Sequence, residues 1–261
     1  VYGAADVFFS AITPSASGGQ PASMFFMLRD GMTFPACTTA LLINLVMYTL
    51  ATLTIGSLSV LFHFNLFRRM SLFSRVLIVV GWFIMTGLSM LFYMLLRRGE
   101  ILYRLCDRVM EMLGKRKLLS NLTKKQAKLK KKMAEYQQCS DEIAGHGRML
   151  IRIFIINLLQ RLSQIGVTFM IFMALGEGFR TSLEGLVIQA FTALGSNSIP
   201  IPGGMGGADY LMLDGFGEIL GRDAASIEML CRGCSFYVCI ITSALIVLAG
   251  YFMGRKRSLR K

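Results

Sequence analysis

Ser198-Ile199-Pro200-Ile201-Pro202-Gly203-Gly204-Met205-Gly206-Gly207 interrupts a chain otherwise built of long apolar runs. Its prolines remove backbone donors and block helix continuation, while Gly203, Gly204, Gly206 and Gly207 permit φ > 0 and close backbone approach. A second break, Thr13-Pro14-Ser15-Ala16-Ser17-Gly18-Gly19-Gln20-Pro21, stands near the start. Broken backbone inside a bilayer is tolerated only where protein or a water-filled cavity solvates the freed polar groups. Paired breaks in two halves of a membrane protein point to a substrate site.

The bilayer reading starts from composition. The 261 residues are 54% hydrophobic and 16% charged, with a mean hydropathy of +0.56, beyond what a soluble domain usually carries. Pro35 to Phe62 holds 28 consecutive uncharged residues and Val76 to Leu96 holds 21, each enough to cross a hydrocarbon core roughly 30 Å thick. Residues 153–175 are long enough as well, although Asn157, Gln160, Arg161 and Gln164 place polar groups on them, and 229–253 complete the set with Arg232 near the start. The expected fold is an all-α integral membrane protein, a polytopic helix bundle. Its order is a re-entrant 1–31, spans at 35–62 and 76–96, a cytoplasmic loop 97–152, a span 153–175, a re-entrant 185–220, a span 229–253 and a basic tail 254–261. Val1 opens inside an apolar stretch without the basic flank of a signal peptide, so a piece truncated at its N-terminus is expected.

Charge sets the expected orientation, because Lys and Arg accumulate on the cytoplasmic side. Residues 97–148 carry 14 Lys/Arg against 6 Asp/Glu, a net of +8, and the tail adds five positives. Both should be cytoplasmic. The segment between Leu175 and Met229 must then enter and leave by one face, and the two breaks acquire opposite orientation, as in an inverted repeat. Arg68, Arg69 and Arg75 run against this count, since they fall in a short loop assigned outside. Within the long loop, Glu100 to Lys115 has the spacing of an amphipathic helix. Lys124 to Lys132 is a basic run attracted to anionic headgroups by about 1 kcal/mol per charge. A solvated face with a positive-inside signal is preferred there to specific lipid recognition. Nucleic acid is not an expected partner, because few aromatics interleave the basic run and topology accounts for the overall +13.

At the second break a helix should restart near Ala208 and run towards Gly217. Its first-turn amides would favour an anion, and a lipid phosphate is the anion most available in a membrane. The first break repeats the arrangement, with Gly18 and Gly19, then Pro21 suited to a first turn, then a short helix from Met24 to Leu28. Two tight turns between interfacial helices would read the same way. Arg161, inside a span, either holds a phosphate or pairs with Asp209 or Glu177. Asp209 either caps exposed amides or binds a substrate amine. Arg232 reads as a snorkelling side chain. Gln20, Gln189 and Asn197 are polar enough for a cavity wall, or simply bond between helices. His63 and His146 fall in no catalytic or metal motif, and Cys231-Arg232-Gly233-Cys234 lacks a second ligand pair. No catalytic residue, metal ligand or cofactor is expected, and the six cysteines fit a reduced chain.

These residues carry a resemblance. Pro200 through Asp209 resembles the PxPGGxGxxE signature of the lysylphosphatidylglycerol synthase transmembrane-region family, and Thr13 to Pro21 followed by Leu28-Arg29-Asp30-Gly31 is similar to that family's upstream motif. The resemblance covers nearly the whole chain. Asp209 stands where the family usually has Glu, which keeps the charge and shortens the reach. In full-length members a soluble domain transfers lysine from aminoacyl-tRNA to phosphatidylglycerol. The membrane region is implicated in flipping the product outward, which gives resistance to cationic peptides.

The resemblance therefore implies a lipid translocase or lipid-binding module in a bacterial cell membrane. Its ligand would be phosphatidylglycerol or the lysyl ester, held by the headgroup in a midplane cavity. The candidate headgroup residues are Gly18, Gly19, Gln20, Arg29, Arg161, Pro202, Gly203, Gly204, Gly206 and Asp209. The alternative is a phosphatidylglycerol lysyltransferase whose catalytic domain is absent or supplied by another chain, because a cytoplasmic segment of about 50 residues is too short for a separate domain. A homo-oligomer is compatible with either reading.

Overall fold

A computed structural model describes residues 1–13, 17–97, 137–138, 146–197, 199 and 201–258. The expected amphipathic helix at 100–115 and the basic run at 124–132 lie outside the described residues, as do Pro14, Ser198 and Pro200. Among the described residues the structure is helical, without strands. The architecture is an all-α membrane bundle, with helices long and apolar enough to cross a bilayer at Phe34–Phe62, Leu72–Leu96 and Gly147–Ala174 and within Pro202–Phe252.

The chain opens with a hairpin of α1 (Tyr2–Ile12) and α2 (Gly19–Arg29). Thr13 closes its turn, the hydroxyl donating to the Phe9 carbonyl at 2.6 Å and accepting from the Gly18 amide at 2.8 Å. Gly19 lies so close to Asp6 and Ser10 that a β-carbon would strike them, and the Ser23 hydroxyl donates to the Tyr2 carbonyl at 2.8 Å. The helix after the first break begins earlier than the Met24 expected from sequence. Pro21 falls in its first turn, where a missing N–H removes no intrahelical bond, so the helix extends back to Gly19.

Helix α3 (Phe34–Phe62) starts with Pro35 in its first turn. Its 29 residues span about 44 Å at 1.5 Å per residue. After the short α4 (Phe64–Arg69) the chain returns as α5 (Leu72–Arg97), fastened to α3 where the Trp82 indole N–H donates to the Ser57 hydroxyl at 3.0 Å. Helix α6 (Gly147–Ala174) runs parallel to α3. Asn157 Nδ2 donates to Asn44 Oδ1 at 3.2 Å, and one turn on the Arg161 guanidinium lies 4.0 Å from the Tyr48 ring centroid, so both helices advance four residues in the same direction.

Helix α7 (Phe179–Ser196) and α8 (Gly207–Leu220) fold back on one another with the second break at the tip. Gly215 abuts Ile188 and Gly195 abuts Leu211, an antiparallel register. The main core gathers there: Phe172 of α6, Ile188, Phe191 and Leu194 of α7, Leu211, Met212 and Phe216 of α8, with Leu66, Met70 and Ile78 closing the α4–α5 side. Two bonds tie α8 to the α4–α5 link, from the Ser71 amide to Asp214 Oδ2 at 2.9 Å and between the Ser71 and Tyr210 hydroxyls at 3.1 Å. The chain then passes through α9 (Ala224–Arg232) and a π-helical turn (Gly233–Tyr237) into α10 (Val238–Ser258). Helix α1 packs along α10 and against the turn of the second break.

Candidate functional site

The second break is held together in large part by its own backbone. The Ile199 amide donates to the Ser196 carbonyl at 3.1 Å, Ile201 to Ile199 at 2.8 Å and Gly204 to Ile201 at 3.0 Å, closing a 3-10 turn over Pro202–Gly204. Gly203 (φ 63°) and Gly206 (φ 80°) hold the left-handed conformations that let the chain reverse twice within a few residues. The helix after the break starts at Gly207, and its first internal bond runs from the Tyr210 amide to the Gly206 carbonyl at 2.9 Å. The amides of Gly207, Ala208 and Asp209 precede that bond.

Asp209 organises this opening. One carboxylate oxygen accepts from the Gly206 amide at 2.8 Å, the capping role open to it from sequence, and the other lies 2.7 Å from Arg232 Nε. Arg232 is the last residue of α9, and its side chain is only 10% exposed. It also lies 3.9 Å from Glu228 and 4.8 Å from the centroid of Phe236. Phe236 in turn packs on Gly203, where a β-carbon would strike the ring. The π turn supplies this arrangement by following Arg232 directly and bringing Phe236 onto the face of the guanidinium. Inserted π turns of this kind occur frequently at functional sites. One donor is left over: Arg232 Nη2 is buried with no hydrogen-bond partner.

The snorkelling role read for Arg232 from sequence is corrected by this geometry. The guanidinium is buried and paired with a carboxylate whose own side chain is 36% exposed, rather than reaching for the interface. The clue in the sequence was an intramembrane arginine and an intramembrane aspartate, each short of a partner. The 22 positions between them hide their contact, which depends on the chain doubling back at Gly221–Asp223.

The candidate residues fall in three places. Pro202, Gly203, Gly204, Gly206 and Asp209 form the break itself, joined by Arg232, Glu228 and Phe236. Gly18, Gly19 and Gln20 lie in the α1–α2 hairpin, Gly19 buried and Gln20 partly so. Arg29 ends that hairpin, donating to the Gly250 carbonyl at 3.3 Å and stacking on Phe26 at 4.9 Å. Arg161 belongs to the α3–α6 interface. Its guanidinium donates to Gln164 at 2.6 Å and covers Tyr48, so neither Asp209 nor Glu177 is its partner. Cys231 is buried and Cys234 exposed, and among the described residues no cluster suited to a metal ion is found.

The packing at Gly203 carries a prediction. Gly203→Ala forces a side chain into a left-handed backbone and against the Phe236 ring, at a cost of about 1–2 kcal/mol. Thermal unfolding in detergent checks it, with Gly233→Ala as the comparison because no atom lies within 4 Å of its β-position.

The bundle with its broken hairpin defines a multi-pass membrane protein, and one family of that class matches the chain. The model of the lysylphosphatidylglycerol synthase TM region covers residues 4–243, so the chain belongs to that family. No curated protein and no solved structure matches it.

Proposed function

We propose that this chain is a lipid translocase or lipid-binding membrane module that handles the headgroup of an anionic or aminoacylated phospholipid at the second break. The observation that carries the reading is the Arg232–Asp209 pair beside a glycine-rich break, its guanidinium buried with one donor unpartnered and its carboxylate partly exposed. The chemistry has two halves. A phosphodiester can take Arg232 Nη2 and the first-turn amides of α8, where helix polarity favours an anion. An ammonium group, such as that of a lysyl ester, can take Asp209 and Glu228. A headgroup carrying both charges can therefore replace the internal ion pair while its acyl chains stay in the bilayer.

The two hairpins act in this account as re-entrant elements of opposite orientation, with the basic loop and C-terminus cytoplasmic in a bacterial cell membrane. The packing of α1 against the Pro202–Gly204 turn supports a joint role for the two breaks. Exposure of the site first to one leaflet and then to the other would move the headgroup across, and outward movement of a cationic lipid would lower surface negative charge.

Photo-crosslinking tests the placement. A phosphatidylglycerol analogue with a diazirine on its headgroup, added to the reconstituted protein, is expected to label peptides spanning 201–210 and 228–236. Excess lysyl ester should compete with it. Labelling confined to other segments would refute the site.

A further inference from the structure

Arg68, Arg69 and Arg75 are the basic residues that the charge pattern leaves unexplained, and they stand on the two helices, α4 and α5, that contribute to one apolar groove. Helices α3, α4, α5 and α7 flank an open apolar groove of about 490 Å3 whose walls include Val60, Phe64, Phe67, Ile78, Trp82 and Leu194. That volume lies within the roughly 300–1,000 Å3 of small-molecule sites. On the helix that contributes Phe64 and Phe67, Asn65, Arg68 and Arg69 line a shallow polar hollow of about 370 Å3. Arg75 stands on the α5 face of Ile78, Val79 and Trp82, one turn nearer α4, and its Nε is buried without a hydrogen-bond partner. Among the described residues, none of these three guanidiniums has a carboxylate within ion-pair distance.

We propose that this groove is a binding site for an anionic phospholipid, with an acyl chain along the apolar wall and the phosphodiester on the arginines of α4 and α5. It is separate from the Asp209–Arg232 site and does not rest on the function proposed there. Charge complementarity selects the occupant. Leu61, Phe62 and Leu72 around the mouth are 70–75% exposed, a surface for lipid tails, and the cations beside it suit a phosphate. A second copy seated symmetrically would bring the same arginines face to face, which like-charge repulsion opposes.

Trp82 reports on the groove directly, because it lines the wall and is the chain's sole tryptophan. The full chain is reconstituted in phosphatidylcholine vesicles containing increasing fractions of dibrominated-acyl phosphatidylglycerol or dibrominated-acyl phosphatidylcholine, and Trp82 fluorescence is followed. Brominated phosphatidylglycerol should quench at about fivefold lower mole fraction, the weight of one basic residue against an anionic lipid. The combined variant Arg68→Gln, Arg69→Gln, Arg75→Gln should move the phosphatidylglycerol curve onto the phosphatidylcholine curve. Should that variant not fold, high salt must collapse the preference in the wild-type protein and leave phosphatidylcholine quenching unchanged. Equal quenching by the two lipids, a preference untouched by the variant or by salt, or an unquenched Trp82 as expected for a groove filled by another helix or a second copy, would each overturn the proposal.

Discussion

Asp209→Ala is expected to destabilise the protein by about 1–3 kcal/mol, the cost of leaving a buried polar group without its partner, because Arg232 is buried while the Asp209 side chain is 36% exposed. The loss arises less from the missing attraction than from what remains. Arg232 keeps its charge in a position where its side chain is 10% exposed, and the Gly206 amide loses the carboxylate it donates to at 2.8 Å. Glu228 is 3.9 Å from Arg232 and compensates only in part. Replacing both charges, with Asp209→Asn and Arg232→Met, should recover part of the stability, since it removes the stranded cation and leaves an amide oxygen for the Gly206 amide, while Glu228 loses its cationic neighbour. The double variant should nonetheless handle lipid as poorly as the single one. Thermal unfolding and headgroup crosslinking on the same preparations separate the two effects. A double variant that regained both would make the pair merely structural.

The second large effect is expected at Gly81. Helix α5 crosses α7 there so closely that a β-carbon would strike the Leu194 carbonyl oxygen, and Gly195 Cα stands 3.0 Å from the same position. Backbone cannot rotate away as a side chain can. Gly81→Leu must separate the two helices and open the core around Ile78, Leu194 and Leu211, a cost of at least about 1–3 kcal/mol for overpacking. Small residues at helix crossings serve this close approach in membrane bundles. Gly87→Leu, on the same helix with no atom within 4 Å of its β-position, should change stability little. Similar unfolding midpoints for the two variants would contradict the packing described for α5 and α7.

The long apolar runs announced the spanning helices, because a stretch such as Pro35 to Phe62 has no other stable place for its side chains. Proline and glycine announced both breaks, for steric reasons that act within a few residues. Relations between distant segments were harder to read. Arg232 meets Asp209 only because a turn reverses the chain at Gly221, and its pairing is invisible to any local pattern. Arg161 carries the same type of charge, yet it packs on a tyrosine face and donates to a glutamine one turn along α6, with its Nε left unpartnered. Arg68, Arg69 and Arg75 counted against an orientation rule in the sequence. Their common position beside an apolar groove depends on how α4 folds back across α3 and α5. The short helix expected from Met24 shows the opposite error, since Pro21 fits within a first turn and the helix begins at Gly19.

The most direct measurement of the central claim is transbilayer movement in proteoliposomes. Fluorescent phosphatidylglycerol and its lysyl ester are followed with an outer-leaflet quencher, comparing the wild-type protein with the Asp209→Asn, Arg232→Met variant. Accelerated movement is expected with the wild-type protein, and the rate of protein-free vesicles with the variant. Wild-type protein that is folded and inserted but leaves the rate at that of empty vesicles, or a variant as fast as wild type, would contradict it.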